Sequence, residues 1–337
     1  MASIGAVMAR GLQVVVERYP VKGAFVIARG AKTHVDVVVA TVSDGAFSGR
    51  GEATAIYYHG ETAESVAAQV AMMAGAVADG VSRADLLGLM GAGGARNALD
   101  CALWDLEAKA SGISVRERLG LPAFQPMLTA YTISLGEPGV MAEAAAAARG
   151  RELIKVKLGG ADGWQADVER MRAVRAAAPD ARFVVDANEG WGGTDVSRTA
   201  AALERLGVEL IEQPVPAGRD AELEGVVSAV PLCADESCHD RASLEAIVGR
   251  YRFINIKLDK AGGLTEALAL AHAARQRGLG LMTGCMLGTS LAMAPAFHLA
   301  VASEFADLDA PLLIEDRAGG MRYQHSDVWP PDAALWG

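Results

Sequence analysis

Apolar residues, mostly valine, dominate 12–17 and again 35–42, the pattern of β-strands, with a Gly-bearing loop around 24–32 between them. Ser43-Asp44-Gly45 is a turn signal, and 47–53 reads as the next strand of an antiparallel meander. Helical segments follow. Residues 62–77 open with Thr62-Ala-Glu-Ser65 and are mostly small and apolar, which predicts a helix. A second helix is expected over 95–111, where Ala98, Leu99, Ala102, Leu103 and Leu106 share one face and Gly112 follows as a stop.

From about Gln125 the pattern changes to short apolar runs separated by helical segments. Strands are expected at 128–133, 154–158, 183–186, 210–212, 232–235, 253–257, 279–283 and 305–308. Helices between them are expected at 140–148, 163–178, 194–206, 243–248 and 264–277. Successive strands start roughly 20–30 residues apart, the spacing of one βα unit, and eight units close a (β/α)₈-type barrel. The fold class is therefore α/β, a barrel over 126–317 preceded by an α+β domain over 1–125. A doubly wound open sheet is the structural alternative, but no Gly-rich phosphate turn follows the first strand.

Composition adds limits to this picture. Of 337 residues, 51% are hydrophobic and 21% charged, the profile of a soluble globular protein. A formal charge of −10, with Lys and Arg scattered rather than clustered, argues against a nucleic-acid partner. No apolar run approaches a membrane span, and residues 1–20 lack the basic-then-apolar layout of a secretion signal. Cys101, Cys233, Cys238 and Cys285 form no C-x-x-C pair, which fits reduced thiols in the cytoplasm. The six histidines show no zinc-binding spacing.

Candidate chemistry gathers where the expected strands end. Lys155-Val156-Lys157, Asp186-Ala187-Asn188, Glu212-Gln213-Pro214, Asp235-Glu236-Ser237 and Lys257-Leu258-Asp259-Lys260 lie at the C-terminal ends of consecutive strands, the rim where catalytic groups of such barrels converge. Asp186, Glu212 and Asp235 would point into one mouth, and three anions brought together call for a cation. Hard carboxylate oxygens without His or Cys favour magnesium. Lys155 and Lys157 share one face of their strand, and two adjacent ammonium groups lower a lysine pKa toward the range a base needs. Lys257, four strands on, would face Lys157 across the mouth. Two bases on opposite sides of one carbon can move a proton from one face to the other. Spacing alone leaves open the alternative that these lysines only neutralise the acids.

These ordered segments, with Asn255-Ile256-Lys257, resemble the motifs of the enolase superfamily, muconate-lactonizing subgroup. The cap segments Gly49-Arg50-Gly51-Glu52 and 96–105 are similar to family segments as well, so the resemblance covers nearly the whole chain. It implies an enolase-like, modified TIM barrel with a capping domain that the tail 318–337 rejoins. It also implies one Mg²⁺ per subunit on Asp186, Glu212 and Asp235, with Lys157 and Lys257 as opposed acid/base groups and Lys155 as electrostatic support. Asp307-Leu308-Asp309 resembles the feature by which the subgroup's dipeptide epimerases hold a substrate ammonium. Arg29, in a cap loop over the mouth, would pair with a glutamate side chain of the substrate, and Thr132 would hydrogen-bond the substrate.

The expected function is epimerisation of small dipeptides, of the alanyl-glutamate kind found in murein peptides, through an enediolate. Within the subgroup, an epimerase of another dipeptide, a cycloisomerase, an o-succinylbenzoate synthase and an N-acylamino acid racemase remain as alternatives. The expected partner is a small molecule rather than nucleic acid or membrane, and a homo-oligomer is compatible with the sequence.

Overall fold

The computed structural model describes residues 9–27 and 30–337. Three antiparallel strands open the chain in the order β1 (Gly11–Ile27), β2 (Gly30–Ser43) and β3 (Ser48–Thr54). The expected loop around 24–32 is instead ladder on both sides, since Phe25 pairs with Lys32 and Ile27 with Gly30. The register shifts between Pro20 and Phe25, where proline supplies no N–H to the ladder.

Four helices complete the capping half: α1 (Ala63–Met72), α2 (Ala74–Ala78), α3 (Arg83–Leu89) and α4 (Gly94–Ser111). The single helix expected over 62–77 is broken at Met73, while its start holds as a reciprocal box between Thr62 and Ser65. Helix α4 ends at Gly112 in the left-handed region. It lies directly on β3, and the sequence permits this because Gly49 and Gly51 face it. A Cβ on Gly49 would sit 2.1 Å from the Leu106 nitrogen, and one on Gly51 2.1 Å from the Ala98 carbonyl.

After α5 (Val115–Arg118) and the short β4 (Met127–Leu128), eight strands run parallel in chain order. They are β5 (Tyr131–Ile133), β6 (Leu153–Lys157), β7 (Arg182–Asp186), β8 (Val208–Glu212), β9 (Leu232–Ala234), β10 (Phe253–Ile256), β11 (Gly280–Thr283) and β12 (Phe305–Ala306). Helices α6 (Pro138–Ala147), α7 (Trp164–Ala177), α8 (Gly193–Glu204), α9 (Leu244–Ile247), α10 (Leu258–Ala261), α11 (Leu264–Gln276), α12 (Ser290–Ala300) and α13 (Ala310–Leu313) follow the strands. Helix α12 had no signal in the sequence because it is buried on every side, which erases the amphipathic period.

The sheet curls until its two ends meet, where the Ala130 amide donates to the Ala306 carbonyl at 2.8 Å. A plug of apolar side chains fills the floor, with Leu153, Val184, Leu210, Cys233 and Met282 among its members. This is the enolase-like α/β fold expected from the sequence. Two last strands, β13 (Tyr323–Gln324) and β14 (Asp327–Val328), pair with β4. The chain end then reaches the cap. Trp336 Nε1 donates to the Cys101 carbonyl at 3.0 Å, and the Val115 amide donates to the Gly337 carbonyl at 3.0 Å.

Candidate active site

Strand alternation builds the site directly above the apolar plug. Leu153, Lys155 and Lys157 share one face of β6, while Ile154 and Val156 pack outward toward the helices. The same parity carries β7 from Val184 to Asp186, β8 from Leu210 to Glu212, and β9 from Cys233 to Asp235 at its end. One step above a hydrophobic ring, the mouth is therefore lined with ionisable groups.

Asp186, Glu212 and Asp235 are fully buried, and a carboxylate oxygen from each lies within 4.8 Å of the others. Gln213 ties two of their strands together. Its Oε1 accepts the Asp235 and Ser237 amides at 2.8 and 3.1 Å, and its Nε2 donates to the Val215 carbonyl. The backbone of Gln213 adopts a φ of 36° to do so, and Asn188 beyond β7 adopts 41°. Strain at these two strand ends is held by the hydrogen bonds around it.

Four lysines face the acids. Lys157 Nζ lies 2.6 Å from Asp186, Lys155 Nζ 2.6 Å from Glu212 and 3.4 Å from Asp186, and Lys257 Nζ 2.6 Å from Asp235. Lys260 Nζ lies 2.5 Å from the second oxygen of Asp235 and donates to the backbone carbonyls of Asp235 and Asn255. Burial opposes the charge on the Asp186 carboxyl, but Lys157 and Lys155 overcome it and hold that group down at about 2. Glu212 goes the other way, raised by burial and by Asp186.

The lysine electrostatics differ from the sequence expectation. A neighbouring ammonium was expected to lower a lysine pKa. Instead, burial disfavours the Lys155 ammonium while Asp307, Glu212 and Asp186 outweigh it, so its pKa is raised. Lys257 is raised as well: burial opposes its charge, and Asp235 and Glu212 prevail. The sequence reading counted the cation next to each lysine and not the anions on the neighbouring strands.

A hard divalent cation fits the three acids on the chemistry of the donor set. The group contains oxygen donors only, with no His or Cys. Glu212 Oε1 accepts the Asn255 amide at 2.7 Å, but its Oε2 meets no aligned donor, only the Lys155 ammonium.

Asp307 and Asp309 reach the same cavity from beyond β12. Asp307 Oδ2 takes Lys155 at 2.8 Å, whereas its buried Oδ1 has no hydrogen-bond partner. Asp309 accepts the backbone N–H of Thr132 at 2.6 Å, so the structure joins these two candidates. Burial, then the Asp307 charge, pushes the Asp309 carboxyl up to about 7. The cap closes the far side with Phe25, Ile27, Lys32, Tyr57 and Tyr58. Arg29 lies outside the described residues. Sequence reasoning missed Lys32, whose Nζ sits 5.1 Å above the Tyr57 ring and whose pKa burial lowers. It also missed Tyr58 and the bond of Lys260 to Asp235. Lys260 was legible in principle, three positions beyond Lys257 and thus on the same side of the turn that follows β10.

Comparison with known proteins gives this geometry its family. Residues 9–120 match the mandelate racemase / muconate lactonizing enzyme N-terminal domain, and residues 140–333 match the enolase C-terminal domain-like family. The chain belongs to the enolase superfamily, in its mandelate racemase and muconate-lactonizing branch, and it is an enzyme of the isomerase class. It is 44% identical to the L-Ala-D/L-Glu epimerase of Escherichia coli K12 over 304 residues, which span 90% of this chain and 94% of that one. It is 46% identical over 254 residues to an N-acetyl-D-glutamate racemase of Pseudoalteromonas, spanning 75% and 79% of the two chains. Among solved structures, an Agrobacterium tumefaciens enolase family member with homology to dipeptide epimerases, holding sodium and L-Ala-L-Glu, superposes with a TM-score of 0.94. Its identity is 51%, covering 97% of this chain and 100% of that one.

Proposed function

We propose that the protein is a Mg²⁺-dependent dipeptide epimerase of the L-Ala-D/L-Glu kind, which inverts the α-carbon of the C-terminal residue by a two-base proton transfer. The observation that carries this reading is the placement of Lys157 and Lys257 on strands four apart in an eight-stranded ring, with the acidic triad between them. Asp186, Glu212 and Asp235 would hold the metal. When bound, Mg²⁺ supplies positive charge that neutralises the triad and lowers the cost of charge building on a substrate carboxylate.

The chain's own residues do the rest. One lysine, unprotonated, takes the α-proton from its side of the carbon, and the other, as an ammonium, returns a proton from the opposite side. The electron pair left by the first step is held in the enediolate until the second. Lys155, buried between Glu212, Asp186 and Asp307, remains a fixed cation beside the developing charge. Asp307 Oδ1, buried and unpaired, suits a substrate ammonium, because a buried acceptor without a donor is costly until one arrives. Lys32, which lines the cavity from the cap, is available to a glutamate side-chain carboxylate, and the sequence offers Arg29 as a second cation for it.

The test is a substrate comparison. L-Ala-L-Glu and N-acetyl-L-Glu are each incubated with enzyme and Mg²⁺, and the second stereoisomer is followed by proton NMR. The reading expects L-Ala-D-Glu from the dipeptide at a kcat/KM at least about 10-fold above that for the acetylated amino acid, the value of one charge-assisted hydrogen bond. Preference for the N-acetyl substrate would replace this reading with an N-acylamino acid racemase.

A further inference from the structure

The active-site lysine Lys257 does not stand on a strand alone. It caps the single-turn helix α10, whose third residue is Lys260, and a Gly262-Gly263 pair connects α10 to α11. Side chains from the cap meet this turn along its length. Asp259 Oδ1 accepts both the Thr54 amide of β3, at 2.9 Å, and Asn97 Nδ2 of α4, at 3.0 Å. Arg96 of α4 places Nη2 on the Ala261 carbonyl at 2.7 Å and Nε on the Gly262 carbonyl at 3.0 Å, so a guanidinium closes the helix C-terminus. One turn further along α4, Asp100 accepts the Thr265 amide at 3.0 Å and its hydroxyl at 2.5 Å, at the start of α11.

The two glycines exist for this contact. A Cβ on Gly262 would lie 2.5 Å from Arg96 Nε, and one on Gly263 2.5 Å from the Asp100 Cβ. Both also have a positive φ, 75° and 114°. The partners of this clamp in the cap, Arg96, Asn97 and Asp100, are buried. By contrast, among the described residues no hydrogen bond from the cap holds β6, and its lysines bond Asp186, Glu212 and Asp307 within the barrel.

We propose that α4 of the cap is a positioning clamp for Lys257, with Arg96 as its central residue, so that the cap sets one of the two proton transfers and leaves the other to the barrel. The clamp holds the turn from Lys257 to Gly262. It rests on the two-base reading above, in which Lys257 and Lys157 serve opposite faces. Loss of the clamp misplaces one base only, and a misplacement near 1 Å can cost about 100-fold in a chemical step.

The experiment measures exchange of the glutamate α-proton in deuterium oxide, starting separately from L-Ala-L-Glu and L-Ala-D-Glu, with Mg²⁺ present. Lys257→Ala first shows which diastereomer depends on Lys257. Arg96→Met is expected to slow exchange from that same diastereomer by about 10-fold or more while the other changes less than about 3-fold, and Arg96→Lys, with one donor head in place of the fork, is expected to fall between. Should Arg96→Met not fold, the same asymmetry is read from Arg96→Lys. Equal slowing of both diastereomers would overturn the clamp and leave the epimerase reading standing, since a purely structural role lowers both together. Absence of exchange from either diastereomer with the wild-type enzyme would bring down the epimerase reading, and the clamp with it.

Discussion

Lys155 and Lys157 are two positions apart, yet their surroundings separate their work. Lys155 is enclosed by Glu212, Asp186 and Asp307, and three carboxylates keep it charged. Among the described residues, Lys157 makes one ion pair, with Asp186, and stands 5.9 Å from the Phe25 ring, lining the cavity. Lys157→Ala is therefore expected to lower epimerisation by about 10³-fold, within the range for loss of a positioned acid or base, while Lys257 still exchanges the α-proton of one diastereomer. Turnover of both diastereomers at the wild-type rate, followed by NMR, would remove Lys157 from the mechanism. Neither setting was readable in the sequence, because the carboxylates that distinguish them come from strands 29 to 152 residues away.

At the scale of elements, what could be read depended on whether polar residues separate the apolar ones along the chain. Residues 95–111 keep a period, and α4 forms as expected at Gly94–Ser111. The eight strands were legible from apolar runs ending in polar residues, since parity alone puts Lys157, Asp186 and Glu212 on the inner face. Helix α12 was not, being buried all round. The same burial makes α12 a sensor of acid. His298 lies within it, its Nδ1–H donating to the Ala294 carbonyl at 3.0 Å, and burial pushes its pKa from 6.5 down to about 4. The unfolded chain then binds a proton that the folded one refuses between these two values, so stability falls as pH drops from about 6.5 to about 4. Urea denaturation at pH 7 and pH 4.5 is expected to show His298→Gln losing less stability on acidification than the wild type, by up to about 2 kcal/mol. An identical loss in both proteins would show that His298 does not titrate in this way.

Over the whole molecule, the barrel supplies the three gathered acids and the two opposed lysines, and the cap supplies the cavity wall and the side chains that hold the turn after Lys257. The three acids read from the sequence do gather within 4.8 Å, because β7, β8 and β9 are neighbours in register. The contribution of the cap was the least legible. Lys32 and Tyr58 carry no motif, and they meet the mouth because β1 and β2 extend into the expected loop and β3 leads into the segment of Tyr57 and Tyr58. The contacts of Arg96 and Asn97 with the turn after β10 span 162 to 166 residues of sequence, and only the folded chain brings these groups together.

All of these assignments converge on one proton. L-Ala-L-Glu and L-Ala-D-Glu, each incubated in deuterium oxide with Mg²⁺ or with a chelator, would be followed at the glutamate α-proton by NMR. The expected result is loss of that signal from both diastereomers, with the other diastereomer appearing deuterated at the α-carbon, and no change in the chelated samples. An α-proton that survives in the presence of Mg²⁺, or exchange that persists in the chelator, would contradict the account of two opposed lysines acting beside a metal that the three acids would hold.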